Sequence, residues 1–168
     1  MKTIQRTKKG VLAAAVAALI FVMTFLIRFP LPMPGGGYIH MGDAILFLSA
    51  IFLGPGYCAA AAAIGSALAD LAAGATLYIL PTVLIKGLMG LLMSWNLTKK
   101  SPIHRCRYAL ACVLGVVLMI GGYFVFEFAV MGLSYAIMAL PFNAIQGAAN
   151  FVAAIFLLPV AERLSKQI

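Results

Sequence analysis

Three ionisable side chains, Asp43, Asp70 and Lys86, lie inside stretches that otherwise read as lipid-soluble helix, and few folds accommodate them. A charge at membrane depth costs about 2.5–3.5 kcal/mol even on lenient insertion scales, so each group must be paired, hydrated or used. The surrounding composition leaves no soluble alternative. With 64% hydrophobic residues, 10% charged residues and a mean hydropathy of +1.09, the chain lacks the polar surface that a soluble domain of this size needs. The sequence therefore describes an all-α integral membrane protein. At roughly 20 residues per crossing it is long enough for about six helices, and residues 1–168 read as a single six-helix membrane domain.

The spans follow from apolar runs and their punctuation. Span one covers about residues 11–27, and its alanines Ala13, Ala14, Ala17 and Ala18 form small-xxx-small pairs that let another helix approach closely. Lys2, Arg6, Lys8 and Lys9 before it resemble the start of a signal peptide, but Arg28 and Pro30 follow without a small-residue cleavage site, so the segment is read as a retained helix. Residues 28–40, with Pro30, Pro32, Pro34 and Gly35-Gly36-Gly37, have neither helix propensity nor strand alternation and are expected to form a long mobile loop, either a lid or a plain linker. Span two runs from His40 to Leu53 and is short for a full crossing; Gly54-Pro55-Gly56 turns it into span three, residues 57–73. Residues 74–80 connect to span four, 81–97, with Pro81 in its first turn. Span five covers 108–131, residues 132–140 form an outer connection, and span six covers 141–158.

Basic residues test this layout. Ten of the twelve Lys and Arg fall in the segments placed inside, leaving Arg28 outside and Lys86 within the membrane. The positive-inside rule then puts both termini in the cytoplasm of a multi-pass bacterial plasma-membrane protein, with Tyr38, Tyr78 and Tyr135 at the outer interface and Tyr57, Trp95 and Tyr108 at the inner one. The net charge of +8 is a matter of topology, and nucleic acid is not expected as a partner. Cys58, Cys106 and Cys112 match neither metal spacing nor a disulfide framework.

Counting helical rise along each span places Asp43, Asp70, Lys86, Glu127, Asn143 and Gln146 in the outer half of the bundle. The inner half holds only Ser94, Asn96 and Asn150, so a continuous polar pore is disfavoured. The pattern describes a pocket open to the outside. Asp43, Asp70 and Lys86 either pair with one another or meet a ligand. Glu127 lacks an obvious basic partner, and Asn143 with Gln146, one turn apart, offers donors and acceptors suited to a heteroaromatic ring or to interhelical hydrogen bonds. Tyr78, Tyr123 and Phe142 are candidates to stack on that ring, and His40 is either a pocket residue or a wet loop histidine. No catalytic, metal-binding, cofactor-binding or nucleotide-hydrolysing motif is present, so an enzyme is not expected.

The runs Tyr38-Ile39-His40-Met41-Gly42-Asp43, Leu53-Gly54-Pro55-Gly56, Gly65-Ser66-Ala67-Leu68-Ala69-Asp70, Pro81-Thr82 and Ile85-Lys86-Gly87-Leu88-Met89-Gly90 resemble the substrate-binding S components of energy-coupling factor (ECF) vitamin transporters. The chain looks like the riboflavin-transporter-related branch, which includes pyridoxine and hydroxymethylpyrimidine carriers. The resemblance implies six helices, a vitamin or precursor bound on the outer side under the loop after span one, and partnership with a transmembrane coupling protein and two cytoplasmic ATPases. It implies that Ala13, Ala14, Ala17 and Ala18 face the coupling protein and that binding residues come from the first loop, spans four to six and the loop between five and six, in agreement with the set read from depth and residue chemistry: Glu127, Asn143, Gln146, Lys86, His40, Tyr78 and Tyr123 at the ligand, with Asp43 and Asp70 in structural ion pairs. The competing readings are a small membrane enzyme acting on a lipid or prenyl substrate and a stand-alone carrier.

Overall fold

The computed structural model describes residues 2–32, 37–97 and 104–166. Pro34, Gly35 and Gly36 of the first loop and Lys99 and Lys100 of the basic loop lie outside the described residues. The described residues form six helices and one small hairpin, in the order α1 (Lys2–Leu26), β1 (Arg28–Pro30), β2 (Tyr38–His40), α2 (Gly42–Ser49), α3 (Pro55–Ala73), a 3-10 turn (Thr76–Tyr78), α4 (Ile79–Leu97), α5 (Arg105–Met131) and α6 (Leu133–Ser165).

Successive helices reverse direction. Tyr57 at the start of α3 lies against Gln5, Arg6 and Lys9 of α1, whereas Tyr38, Asp70, Tyr78, Glu127 and Asn143 surround one pocket. The ends of α1, α3 and α5 therefore meet the beginnings of α2, α4 and α6 at one pole. The basic residues Arg6, Lys9, Arg105, Arg107 and Arg163 belong to the opposite ends of their helices. Large apolar side chains such as Leu84, Leu88, Val117, Val152 and Phe156 project outward, as they do where lipid replaces water around a helix.

Among the described residues, five helices are long and apolar enough to cross a membrane; the expected sixth is different. α2 has only 8 residues, about 12 Å at 1.5 Å per residue against a hydrocarbon core of about 30 Å. It ends where the Ser49 hydroxyl turns back onto Leu46 O at 2.8 Å, and residues 50–53 tighten into irregular turns with Phe52 N–H and Leu53 N–H both bonding Ser49 O. Ser94 Oγ donates to Leu53 O at the end of that segment. Leu46, Phe47, Ala50 and Leu53 are fully buried. Irregular backbone at this depth is tolerated because protein, not lipid, surrounds it.

The expected outer connection at residues 132–140 is also different, since nearly all of it belongs to the 33-residue α6. The turn between α5 and α6 is Gly132 alone, with φ +88°, a conformation glycine adopts without steric cost. Pro141 lies inside α6, so it does not begin the last helix. Tyr108, expected at the inner interface, is fully buried.

α3 and α4 pack backbone to backbone. A Cβ added at Gly90 would lie 2.8 Å from Cys58 O and 3.1 Å from Ala59 Cα, and backbone cannot yield as a side chain can. Gly90→Ala is therefore expected to lower stability by about 1–3 kcal/mol, read as an earlier midpoint in a denaturant titration of the detergent-solubilised protein.

Candidate ligand site

At the centre of the polar pole, Lys86 Nζ donates to Asp43 Oδ2 at 2.7 Å, both side chains being sealed from solvent. Gln146 Nε2 donates to the same Asp43 oxygen at 3.2 Å, and the Lys86 ammonium stands 5.5 Å from the centre of the Tyr123 ring. α2, α4, α5 and α6 are thus joined at one buried point. Charges removed from water hold only when geometry and additional hydrogen bonds offset the desolvation.

The segment expected to be a mobile loop begins and ends in an antiparallel hairpin. Arg28 pairs with His40, Phe29 with Ile39 and Pro30 with Tyr38. Strands of 3 residues are too short to show an alternating pattern, and side chains of α6 hold the second one in place. His40 N–H donates to Gln146 Oε1 at 3.1 Å, and Asn150 Nδ2 donates to His40 O at 2.7 Å. Asn150 Oδ1 then accepts Ala44 N–H at 2.7 Å, in the first turn of α2. The two amides do for β2 what a third strand would do. The His40 Nδ1 accepts Gly42 N–H at 3.1 Å, and burial holds its imidazole well below the ordinary value, at about 4.

Above this layer lies the pocket, lined by Tyr38, Asp70, Tyr78, Thr82, Glu127 and Asn143 together with Leu31, Gly37, His40, Tyr123 and Gln146. Tyr38 Oη donates to Asp70 Oδ1 at 2.5 Å; burial and the neighbouring carboxylate push that phenol far above its usual range, so it stays the donor. Tyr78 Oη donates to Glu127 Oε1 at 3.3 Å and lies 3.2 Å from Tyr135 Oη. Thr82 Oγ1 and Tyr123 Oη share a hydrogen bond of 2.9 Å. Three polar atoms at the pocket, Asp70 Oδ2, Glu127 Oε2 and Asn143 Nδ2, are buried without a hydrogen bond. Glu127 and Asn143, and likewise Asp70 and Thr82, stand near enough to influence each other without closing to hydrogen-bond geometry.

Glu127, Asn143, Gln146, His40, Tyr78 and Tyr123 thus come together around one space. Lys86 does not join them, because its ion pair with Asp43 holds it beneath the lining. Asp70 is no ion-pair member among the described residues; it lines the pocket and binds Tyr38. Tyr38, Tyr78 and Tyr135 do not form an interfacial belt, since Tyr38 and Tyr78 line the pocket and Tyr135 bonds to Tyr78. Tyr38, Thr82 and Asn150 have no site role in the expectations from sequence, which put Tyr38 in an outer aromatic belt and Asn150 in the inner half; Asn150 instead binds His40 and Ala44 at the polar pole. Asn150 was within reach of the sequence, lying one helical turn beyond Gln146, whereas Tyr38 depends on the hairpin.

The alanines of α1 divide between two faces. Ala13 is buried and Ala17 half-buried, while Ala14 and Ala18 are exposed. A shallow apolar groove runs along Ala13, Ala14, Ala17, Ala18 and Phe21 of α1 and Ala60, Ile64 and Leu68 of α3.

Fold and site together define a helical membrane protein with a polar pocket beside a hairpin at one pole. The sequence pattern of the family described as "ECF-type riboflavin transporter, S component" matches residues 4–165. The thiamine precursor transporter HmpT of Lactococcus lactis subsp. cremoris is 30% identical over 156 residues, covering 93% of this chain and 89% of the relative. An uncharacterised protein in the gap 3′ region of Pyrococcus woesei is 36% identical over 104 residues, 62% of this chain and 68% of the relative. The chain belongs to the S-component family of ECF-type riboflavin transporters.

Removing one partner of the buried pair leaves the other charge stranded. Lys86→Met is expected to destabilise by about 3–5 kcal/mol, and adding Asp43→Leu to recover most of that loss, as measured by reversible unfolding in mixed detergent. The His40 imidazole carries a second signature. Its folded value of about 4 lies below the ordinary 6.5, so the unfolded chain binds the extra proton between those values. Stability should fall, by on the order of 3 kcal/mol, as pH drops through that window and level off below it; His40→Gln should flatten this part of the stability profile.

Proposed function

We propose that this chain is the substrate-capture subunit of an ATP-driven ECF-type importer of a small water-soluble vitamin or precursor. A single-ring ligand of the hydroxymethylpyrimidine or pyridoxine type is favoured over riboflavin. The observation that carries the reading is the lining of the pocket, with buried and unpartnered groups at Asp70, Glu127 and Asn143, beside the hairpin that supplies Tyr38 and His40. Polar atoms left without partners are costly to an empty site and favour a ligand that completes them. The relative HmpT, named a thiamine precursor transporter, supports the small-ring preference.

In this reading the protein lies in the plasma membrane with both termini in the cytoplasm, and α2 with residues 50–53 serves as the sixth, protein-enclosed crossing. Glu127, Asn143 and Tyr78 contact the ring, Gln146 and His40 join pocket to hairpin, and Tyr123 closes the floor over Lys86. Ala13, Ala14, Ala17 and Ala18, with the facing residues of α3, line the docking face for a transmembrane coupling protein that works with two cytoplasmic ATPases, Ala14 and Ala18 being its most exposed members. The chain itself performs no chemistry.

Calorimetric titration with hydroxymethylpyrimidine and pyridoxine tests the reading. Glu127→Gln and Asn143→Ala are each expected to weaken binding by about 10–100-fold, the scale of one hydrogen bond to a charged or buried group. Ala18→Leu should leave affinity unchanged while abolishing uptake by cells that carry the ATPase module. Failure of the protein to bind any vitamin-like ring would overturn the assignment.

A further inference from the structure

We propose that the trough between α1 and α3 seats one anionic phospholipid, its phosphate held at Arg6 and Lys9 and an acyl chain laid along the alanines. The inference goes beyond the uptake reading and does not depend on which ligand the pocket takes.

Three adjoining hollows make up the trough, and Tyr57 borders each of them. The apolar one runs from Gly10 to Phe21 on α1 and from Tyr57 to Leu68 on α3, about 16 Å along each helix at 1.5 Å per residue. That is about half of a 30 Å hydrocarbon core, the depth of one leaflet. Ala14 and Ala18 on one wall and Ala60, Ile64 and Leu68 on the other are all exposed. In a membrane such a surface is covered either by acyl chain or by another protein.

At the end nearest Gly10 the trough becomes cationic. Arg6 and Lys9, one turn apart on the same face of α1, share a hollow with Gln5 and Tyr57. Lys9 also borders Gly54-Pro55-Gly56 at the start of α3. A Cβ added at Gly10, Gly54 or Gly56 would meet nothing within 4 Å, so the space there is open. Gly54 caps α3 without a side-chain hydrogen bond, which leaves the N–H groups of the first turn for an outside acceptor. No carboxylate answers the two cations. Among the described residues neither Arg6 nor Lys9 forms an ion pair, and Asp43, Asp70 and Glu127 belong to the opposite pole.

A phosphodiester at this mouth meets two counter-charges and free amide donors while its tail fills the groove, so charge and length select the same molecule. Basic side chains beside a membrane helix draw anionic lipid from the adjoining leaflet. The small side chains of Ala14, Ala18 and Ala60 leave room for a chain that larger residues would displace. In the uptake reading the coupling protein takes this same face, so the lipid has to leave before docking, and the two compete for the free subunit.

Native mass spectrometry of the purified full-length chain in detergent, equilibrated with equal amounts of phosphatidylglycerol and phosphatidylcholine of matched acyl chains, tests the proposal. One phosphatidylglycerol per chain should be retained, preferred over phosphatidylcholine by at least about 10-fold. Arg6→Gln combined with Lys9→Gln should cut that preference to below about 3-fold, each cation supplying part of the attraction. Ala14→Leu combined with Ala18→Leu should displace lipid of both kinds, and Ala14→Val gives a second reading should the leucine pair fail to fold. Equal retention of the two lipids by the unaltered protein, a preference that survives Arg6→Gln with Lys9→Gln, or full retention in the filled-groove variants would each overturn the proposal. A lipid-free dimer would also overturn it, by assigning the groove to a second copy of the chain. Vitamin binding at the pocket is read separately by calorimetry, so failure here leaves the uptake reading standing.

Discussion

The ion pair between Lys86 and Asp43 is the contact through which the polar pole is assembled. Neither charge has access to water, so each depends on the other being in place, and through them α2 is held against α4. Gln146 extends the pair to α6 by donating to the same Asp43 oxygen, and its own oxygen takes the backbone of the hairpin at His40. A helix as short as α2, ending in irregular turns, has little stability of its own in a membrane. Its position follows from being wrapped by other helices and tied at its first turn by Asp43 and by Ala44 N–H on Asn150.

With one carboxylate spent on structure, the other two are released for the pocket. Asp43 and Lys86 cancel each other below the floor, while Asp70 and Glu127, with no cation among the lining residues, face the space above it with one oxygen each unsatisfied. Depth along the helices is similar for all of these groups; what separates them is which has found a partner within the protein. α6 serves both layers, since Asn143 faces the pocket, Gln146 lies at the boundary, and Asn150 holds the hairpin and α2 from below. Ligand contact and hairpin placement therefore share a single rigid element, which gives binding a direct route to the hairpin.

Much of this was legible in the residue order. Long apolar runs ending in basic clusters located α1, α3, α4, α5 and α6, because in lipid a helix is the way an isolated segment can satisfy its backbone. Counting rise along those runs was enough to bring Glu127, Asn143 and Gln146 to one level. Three features were not legible. Span two reads as helix from His40 to Leu53, but the Ser49 hydroxyl and tertiary wrapping end it early. Residues 132–140 carry turn-like punctuation at Gly132, yet a one-residue turn suffices and the helix resumes at once. The hairpin consists of strands too short for alternation to register, and amides more than a hundred residues away hold it in place. For the same reason Asp70 reads as an ion-pair member, since its true partner, Tyr38, reaches it only once the hairpin has formed.

Whether the pocket beside the hairpin holds a small ring is read most directly by mass spectrometry of what the protein carries when purified gently from cells grown in rich medium. A single-ring nitrogen heterocycle in near-equimolar amount, lost when Glu127 is replaced by Gln, is the expected result. A protein that carries no such ring, or a ring retained equally by the Glu127→Gln protein, would contradict the small-ring reading.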